Sequence, residues 1–122
     1  MTSKTILTVD DSRTMREMLL LALQGAGFQV LQAEDGLVGL QVLKGNRADV
    51  IITDINMPRL DGFGFIEHVR RDQAHRAVPI LVLTTESDTE KKTRARNAGA
   101  TGWIVKPFHP EKLVDAIRRV AG

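Results

Sequence analysis

The 122-residue sequence contains no cysteine. This absence excludes disulfide bonds, thiolate metal sites and cysteine nucleophiles, and it is typical of a reducing compartment. No apolar stretch reaches the roughly 20 residues of a membrane span, and no secretory signal is visible, so we expect a cytoplasmic protein without a membrane anchor. Seventeen Lys and Arg against fifteen Asp and Glu give a formal net charge of +2, too close to balance to indicate nucleic-acid binding.

A glycine-rich phosphate loop followed by Lys and Ser or Thr is also missing. Gly25 and Gly27 instead follow an apolar helical repeat that begins after a candidate capping residue, Ser12, so they are predicted to end that helix. Nucleotide binding is therefore unsupported.

Apolar, β-branched runs alternate with segments of helical periodicity along the whole sequence. This alternation predicts right-handed βαβ units and one α/β domain over residues 1–122, with a doubly wound parallel sheet. We expect the strand order 2-1-3-4-5, a common order for such sheets. The predicted strands are 5–9, 28–33, 48–53, 79–83 and 102–105, and the predicted helices are the one after Ser12, 37–44, 63–71, 89–98 and a last one opened by Pro110.

Polar side chains follow four of these strands, at the point where each strand ends. Asp10 and Asp11 follow the first strand, Asp54 the third, Thr84 the fourth and Lys106 the fifth. In an open parallel sheet, ligands bind at the carboxyl ends of the strands, where the strand order reverses. Carboxylates in close contact raise one another's pKa unless a cation joins them, and their hard oxygens suit Mg²⁺. The sequence therefore predicts a magnesium site at this edge.

A phosphoryl ligand is the natural companion of such a metal, because Mg²⁺ is usually held by one or two carboxylates plus phosphate oxygens. Lys106 and Thr84 offer an ammonium and a hydroxyl that suit phosphoryl oxygens. A carboxylate can itself attack phosphorus and form an aspartyl phosphate. Asp54 is the best placed of the three carboxylates to do so.

These residues carry a family resemblance that covers the full length of the chain. The sequence is similar to the receiver domain of two-component response regulators, and most of all to the stand-alone chemotaxis regulators of the CheY type. The resemblance implies the flavodoxin-like (βα)5 fold. It rests on five ordered motifs: Val9-Asp10-Asp11, Thr53-Asp54-Ile55-Asn56-Met57-Pro58, Asp61-Gly62, Leu83-Thr84 and Val105-Lys106-Pro107-Phe108.

The resemblance implies roles for the strand-end residues. Asp54 would accept a phosphoryl group from a histidine kinase, and Lys106 would bind a phosphoryl oxygen. Mg²⁺ would be organised by Asp10, Asp11, Asp54 and the backbone carbonyl of Asn56. The peptide bond between Lys106 and Pro107 would be cis.

A two-position switch and a short phosphoryl lifetime are further implications. Thr84 would move to the phosphoryl group, and Trp103, which stands where Tyr or Phe is more usual, would turn inward. Asn56 and Glu86 match the polar pair of fast-dephosphorylating chemotaxis regulators. Polar side chains beside an acyl phosphate can orient an attacking water.

The partner-binding face would consist of helix 89–98, strand 102–105 and the last helix. Residues 90–97 include almost no large apolar side chain, so helix 89–98 should be weakly anchored and mobile. Its basic side chains could steer an acidic partner, or they could be an ordinary solvated face. We expect a monomer that docks a flagellar motor switch or another chemotaxis protein and that a phosphatase can act on. The candidate face residues are Lys91, Lys92, Trp103 and Lys112.

Three other functions stay open at this point. The protein could drain phosphate from a shared kinase instead of driving a motor. A metal-dependent phosphatase with an aspartyl-phosphate intermediate could carry the same acidic cluster, although such enzymes usually have a second carboxylate where this chain has Asn56. A flavin-binding protein of the same fold would need a phosphate loop after the first strand, where Asp10 and Asp11 would repel phosphate.

Overall fold

A parallel sheet with helices on both faces makes up the computed structural model, which describes residues 3–122. Within these residues the five strands have the order β2-β1-β3-β4-β5, which confirms the predicted fold and topology. The strands are β1 (Thr5–Val9), β2 (Gln29–Ala33), β3 (Val50–Thr53), β4 (Ile80–Thr84) and β5 (Gly102–Val105). The helices are α1 (Arg13–Gly25), α2 (Gly36–Gly45), α3 (Gly62–Arg71), α4 (Thr89–Ala98) and α5 (Pro110–Ala121).

The core lies in two layers, one on each face of the sheet. Successive residues of a strand point to opposite faces, so neighbours in sequence enter different layers. Leu7 and Ile51, which are paired in register, face α2 and α3, whereas Ile6 and Ile52 face α1 and α5. Both faces are covered, which explains the nearly continuous apolar runs of the central strands.

Several element boundaries differ from the predicted ones by one or two residues. Phe28 lies outside β2 because the chain is still completing the end of α1: Gly27 has φ 92°, and the Phe28 N–H donates to the Leu23 carbonyl at 3.1 Å. Residues 48 and 49 precede β3. Pro79 precedes β4, since proline has no N–H for the strand ladder. Thr84 is the last residue of β4 instead of the first one after it.

Aspartate caps set the beginnings of α2 and α3, one residue earlier than predicted. Asp35 Oδ1 accepts the Val38 N–H at 2.9 Å, and Asp61 Oδ1 accepts the Gly64 N–H at 2.9 Å. Such bonds satisfy backbone donors that have no partner inside the helix. Ser12 caps α1 as predicted, through the Met15 N–H.

The α4 helix has the least apolar anchorage, as its sequence predicts, because Ala95 is its one buried residue. Ala98 packs against the core as a partly buried residue, and cationic side chains contribute further contacts. The guanidinium of Arg94 lies 4.0 Å from the centre of the Phe63 ring, and Arg70 Nη2 donates to the Gly99 carbonyl at 2.7 Å. Across residues 3–122, no helix has the length and apolarity needed to span a membrane.

Candidate functional site

Three of the predicted site residues meet at the carboxyl edge of the sheet. Lys106 Nζ lies 2.8 Å from Asp10 Oδ2 and 2.8 Å from Asp54 Oδ2, although these partners are 96 and 52 residues away in sequence. The side chains of Asp10 and Asp54 are 2% and 10% exposed. The ends of β1, β3 and β5 therefore bring two carboxylates and one ammonium into a single hydrogen-bonded cluster.

Local backbone contacts fix Asp54 in this cluster. Its Oδ1 accepts the Ile55 N–H at 2.6 Å, and its own N–H donates to the Val9 carbonyl at 2.9 Å. Gly62 packs directly against this backbone: its N–H donates to the Ile55 carbonyl at 2.8 Å, and a Cβ on Gly62 would overlap the Asp54 carbonyl oxygen. The Asp61-Gly62 pair is a sequence typical of a turn. The close approach adds a second requirement for glycine at position 62, because a side chain there would collide with the backbone of Asp54.

The electrostatics of the cluster follow from burial and pairing. Burial raises the pKa of Asp10, and hydrogen bonds from Lys106 and from the Ser12 N–H oppose this without cancelling it. Burial also opposes the charge on Lys106, but its hydrogen bonds to Asp10 and Asp54 outweigh that effect and raise its pKa. Lys106 therefore stays charged, and it remains the counter-ion of both carboxylates.

A carboxylate trio suitable for a metal ion is present at the same edge. Oxygen atoms of Asp10, Asp11 and Asp54 lie within 4.8 Å of one another, and in residues 3–122 no other His, Asp and Glu side chains form such a group of three. Asp11 is exposed, so the group opens to solvent. Three carboxylates face one ammonium, and the excess negative charge and hard oxygen donors fit Mg²⁺.

Comparison with known proteins agrees with this geometry. Residues 6–118 match the family model described as "Response regulator receiver domain". The chain belongs to this family. Receiver domains are signalling switches and not classical enzymes, and they bind Mg²⁺ at an acidic pocket.

Relatives of this receiver domain include chemotaxis proteins. It is 37% identical over 116 residues to chemotaxis protein CheY-3 of Vibrio cholerae, covering 94% of this chain and 89% of the relative. The solved structure of Vibrio cholerae chemotaxis protein CheY4 is 45% identical, with a TM-score of 0.94, and the match covers 98% of this chain and 99% of that one. The receiver domain of sensor histidine kinase PA1611 from Pseudomonas aeruginosa, solved with a magnesium ion in its active-site cleft, is 26% identical, with a TM-score of 0.92 and 99% of each chain covered.

Glu86 joins the two predicted switch residues of this receiver domain. Its N–H donates to Thr84 Oγ1 at 3.4 Å, and its carbonyl accepts the indole N–H of Trp103 at 3.0 Å. Thr84 is buried, and Trp103 is half-buried against the α3–α4 side of the core. The Thr84 hydroxyl is thus bound to the β4–α4 loop and not to the carboxylate cluster.

The Glu86 side chain reaches two more predicted residues. Its Oε1 accepts from Asn56 Nδ2 at 3.1 Å and lies 3.1 Å from Lys91 Nζ. The hydrogen bond from Lys91, followed by the one from Asn56, lowers the pKa of the Glu86 carboxyl. Lys91 is half-buried in this contact, whereas Lys92 and Lys112 are exposed.

The Lys106–Pro107 peptide bond is cis, which confirms that prediction.

An ion pair beside the site was not predicted from the sequence. Arg59 Nη2 lies 2.7 Å from Asp35 Oδ2 and attaches the β3–α3 loop to the beginning of α2. The Asp35-Gly36 pair before an apolar helix is a capping signal, so Asp35 could have been found as a cap. Nothing in the local sequence indicates that its partner is Arg59, 24 residues away.

Proposed function

We propose that this receiver domain is a phosphorylation-operated switch of a two-component chemotaxis pathway, with Asp54 as the phosphorylated residue. The contact that carries the proposal is the shared hydrogen bonding of Lys106 Nζ to Asp54 and Asp10, each at 2.8 Å. A fixed cation at an open group of carboxylates is suited to hold a transferred phosphoryl group. The likeness to chemotaxis proteins supports the assignment to a chemotaxis pathway.

The reaction is a transfer between two nucleophiles. A carboxylate oxygen of Asp54 attacks the phosphorus of a phosphohistidine on the kinase, an O–P bond forms, and the P–N bond breaks with its electron pair left on the histidine nitrogen. Lys106 exchanges its contact with the Asp54 oxygen for one with a phosphoryl oxygen. Asp10, Asp11, Asp54 and the Asn56 carbonyl would hold Mg²⁺, which would supply the charge neutralisation that this crowded anionic site needs.

Phosphorylation then changes the contacts of Thr84. Within residues 3–122, the one hydrogen bond of its hydroxyl is the long 3.4 Å bond from the Glu86 N–H, so a phosphoryl oxygen is a stronger partner for it. Movement of Thr84 alters the loop that also holds the Trp103 indole. A ligand that favours one of two conformations shifts their populations by its differential affinity. We infer that the α4–β5–α5 face is thereby switched, with Lys91, Lys92, Trp103 and Lys112 on it.

The partners follow from this scheme. A histidine kinase donates the phosphoryl group, a monomer carries it, and a flagellar motor switch or another chemotaxis protein binds the altered face. Asn56 follows Asp54 by two residues, and Glu86 follows Thr84 by two. We call this pair of side chains, bonded to each other at 3.1 Å, the mouth of the site. We propose that they orient the water that removes the phosphoryl group, with or without a separate phosphatase.

A mass measurement tests the site assignment. The protein is treated with acetyl phosphate with and without Mg²⁺, and the intact mass is followed. We expect the mass of one phosphoryl group to be added only with Mg²⁺, and not in Asp54→Asn. The matched control is Asp115→Asn, an exposed carboxylate on α5 that should be phosphorylated normally. Phosphorylation of Asp54→Asn, or equal phosphorylation without metal, would refute the assignment.

A further inference from the structure

Lys91 is placed where a helix disfavours a cation. It is the third residue of α4, in the turn whose free N–H groups carry the positive end of the helix dipole. Its ammonium turns out of the helix to Glu86 Oε1, at 3.1 Å, in the loop before α4. The contact therefore compensates for an unfavourable position, and it ties the beginning of α4 to the mouth of the phosphorylation site.

The neighbouring lysine provides a contrast. Lys92 has the same side chain on the same helix turn, but it is exposed and forms no ion pair within residues 3–122. Lys91 is partly buried, with 39% of its side chain exposed, and Glu86 is covered to a similar degree, with 30% exposed. Only one of the two adjacent lysines is thus in contact with a residue at the site.

The contact with Lys91 matters once a phosphoryl group is present, because the Glu86 carboxylate and the phosphoryl group are both negatively charged. A phosphoryl group on Asp54 would bring further negative charge to an edge that already carries three carboxylates. Without a counter-ion, the Glu86 carboxylate would be repelled and would turn toward solvent. Lys91 neutralises that charge, and together with Asn56 Nδ2 it fixes Glu86 Oε1 at the mouth of the site.

We propose that Lys91 is a positioning residue for dephosphorylation: it holds Glu86 where that side chain, with Asn56, orients the attacking water. This rests on the proposed function, and it adds a third residue to the pair that the sequence indicated. In the step itself, the water oxygen bonds to phosphorus and the P–O bond to Asp54 breaks. The electron pair of that bond returns to the Asp54 carboxylate, and the proton of the water leaves to bulk solvent. Lys91 takes no part in the covalent change.

Paired variants test the inference. Wild type, Lys91→Met, Lys91→Arg and the control Lys44→Met are phosphorylated with acetyl phosphate and Mg²⁺. The donor is removed by rapid desalting, and the loss of the phosphoryl mass is timed. We expect Lys91→Met to lose the group about 2–5-fold more slowly than wild type, a range set by the strength of partly exposed ion pairs. Lys44→Met, which changes an exposed lysine in the last turn of α2, should decay like wild type. Lys91→Arg should restore most of the rate.

A double variant shows whether Lys91 affects the decay through Glu86 or independently of it. Glu86→Gln should itself slow the decay, and adding Lys91→Met to it should change the rate no further, because Lys91 acts through Glu86. Thermal unfolding of each variant shows whether the fold is kept. Equal decay of wild type and Lys91→Met, faster decay of Lys91→Met, or the same slowing on the Glu86→Gln background would overturn the inference. Failure of wild type to take up any phosphoryl group would overturn the proposed function instead.

Discussion

Arg59 and Asp35 form an ion pair, with Arg59 Nη2 at 2.7 Å from Asp35 Oδ2, that attaches the loop after Asp54 to the beginning of α2. The Asp35 side chain is 3% exposed. Arg59 adopts φ 66°, in the left-handed region that disfavours residues with a Cβ. The Gly36 N–H also donates to the Leu60 carbonyl at 3.2 Å. The loop that carries Asn56 is therefore fixed by a buried carboxylate at a cost in backbone strain.

Substitutions at these two residues should separate three contributions to the unfolding free energy: the helix cap, the charge of Asp35 and the backbone strain at Arg59. Asp35→Asn keeps an oxygen for the Val38 N–H but loses the charge, so we expect a loss of about 1 kcal/mol in unfolding free energy, against about 2 kcal/mol for Asp35→Ala. Arg59→Gly should be about 1 kcal/mol more stable than Arg59→Ala, because only glycine adopts positive φ freely. Urea unfolding of wild type and the four variants measures these differences in unfolding free energy. Equal stabilities of Arg59→Gly and Arg59→Ala would contradict the strain argument.

Ionisation of Asp35 should also make the unfolding free energy depend on pH. Burial opposes the charge on Asp35, but hydrogen bonds from the Val38 N–H and Arg59 outweigh it and lower the pKa of Asp35 below its usual value. A carboxyl whose pKa is lower in the folded state stabilises the fold above its unfolded pKa, near 3.9, and loses that contribution as the pH falls through its folded pKa. The stability difference between wild type and Asp35→Asn should therefore be constant above about pH 5 and shrink below about pH 4. Unfolding curves across this range measure it, and a difference independent of pH would count against the ion pair.

Mg²⁺ should stabilise the protein, because the group of carboxylates proposed to hold it exists only in the folded chain. At a free concentration ten times its dissociation constant, we expect a gain of about 1.4 kcal/mol in unfolding free energy. Asp11→Asn should reduce the gain, since it removes an exposed member of the trio without touching Lys106. Asp115→Asn, away from the trio, should respond to Mg²⁺ as wild type does. Melting curves with and without Mg²⁺ decide this, and an unchanged response of Asp11→Asn would exclude that residue from the site.

Two glycine substitutions should have opposite effects. Gly62→Ala places a methyl group against the Asp54 carbonyl, and both backbones would have to shift, so we expect a loss of about 2 kcal/mol and slower phosphorylation by acetyl phosphate. Gly45→Ala, at the end of α2, meets no atom within 4 Å and should be neutral or stabilising by up to about 1 kcal/mol. Unfolding and phosphorylation rates are measured for both. Normal phosphorylation of Gly62→Ala would show that the close approach is not needed by the site.

Much of the fold could be predicted because local patterns agree with the final arrangement. Strands buried on both faces require apolar runs, and the helices between them require amphipathic repeats, so the alternation alone indicates a parallel sheet. The predicted boundaries failed where a local bond outweighed the pattern, as at Phe28, whose N–H completes the end of α1. The predicted beginnings of α2 and α3 are one residue late, because Asp35 and Asp61 cap helices that already begin at the glycine after each of them.

The sequence by itself determined which side chains share the carboxyl edge of the sheet, because strand order and strand ends place Asp10, Asp54 and Lys106 there whatever their separation along the chain. Only the tertiary structure decided which of them touch and what holds them. The contacts of Arg59 with Asp35 and of Lys91 with Glu86 depend on loop conformation. Loops have no repeating pattern, and side chains that meet across them leave no periodic trace in the sequence.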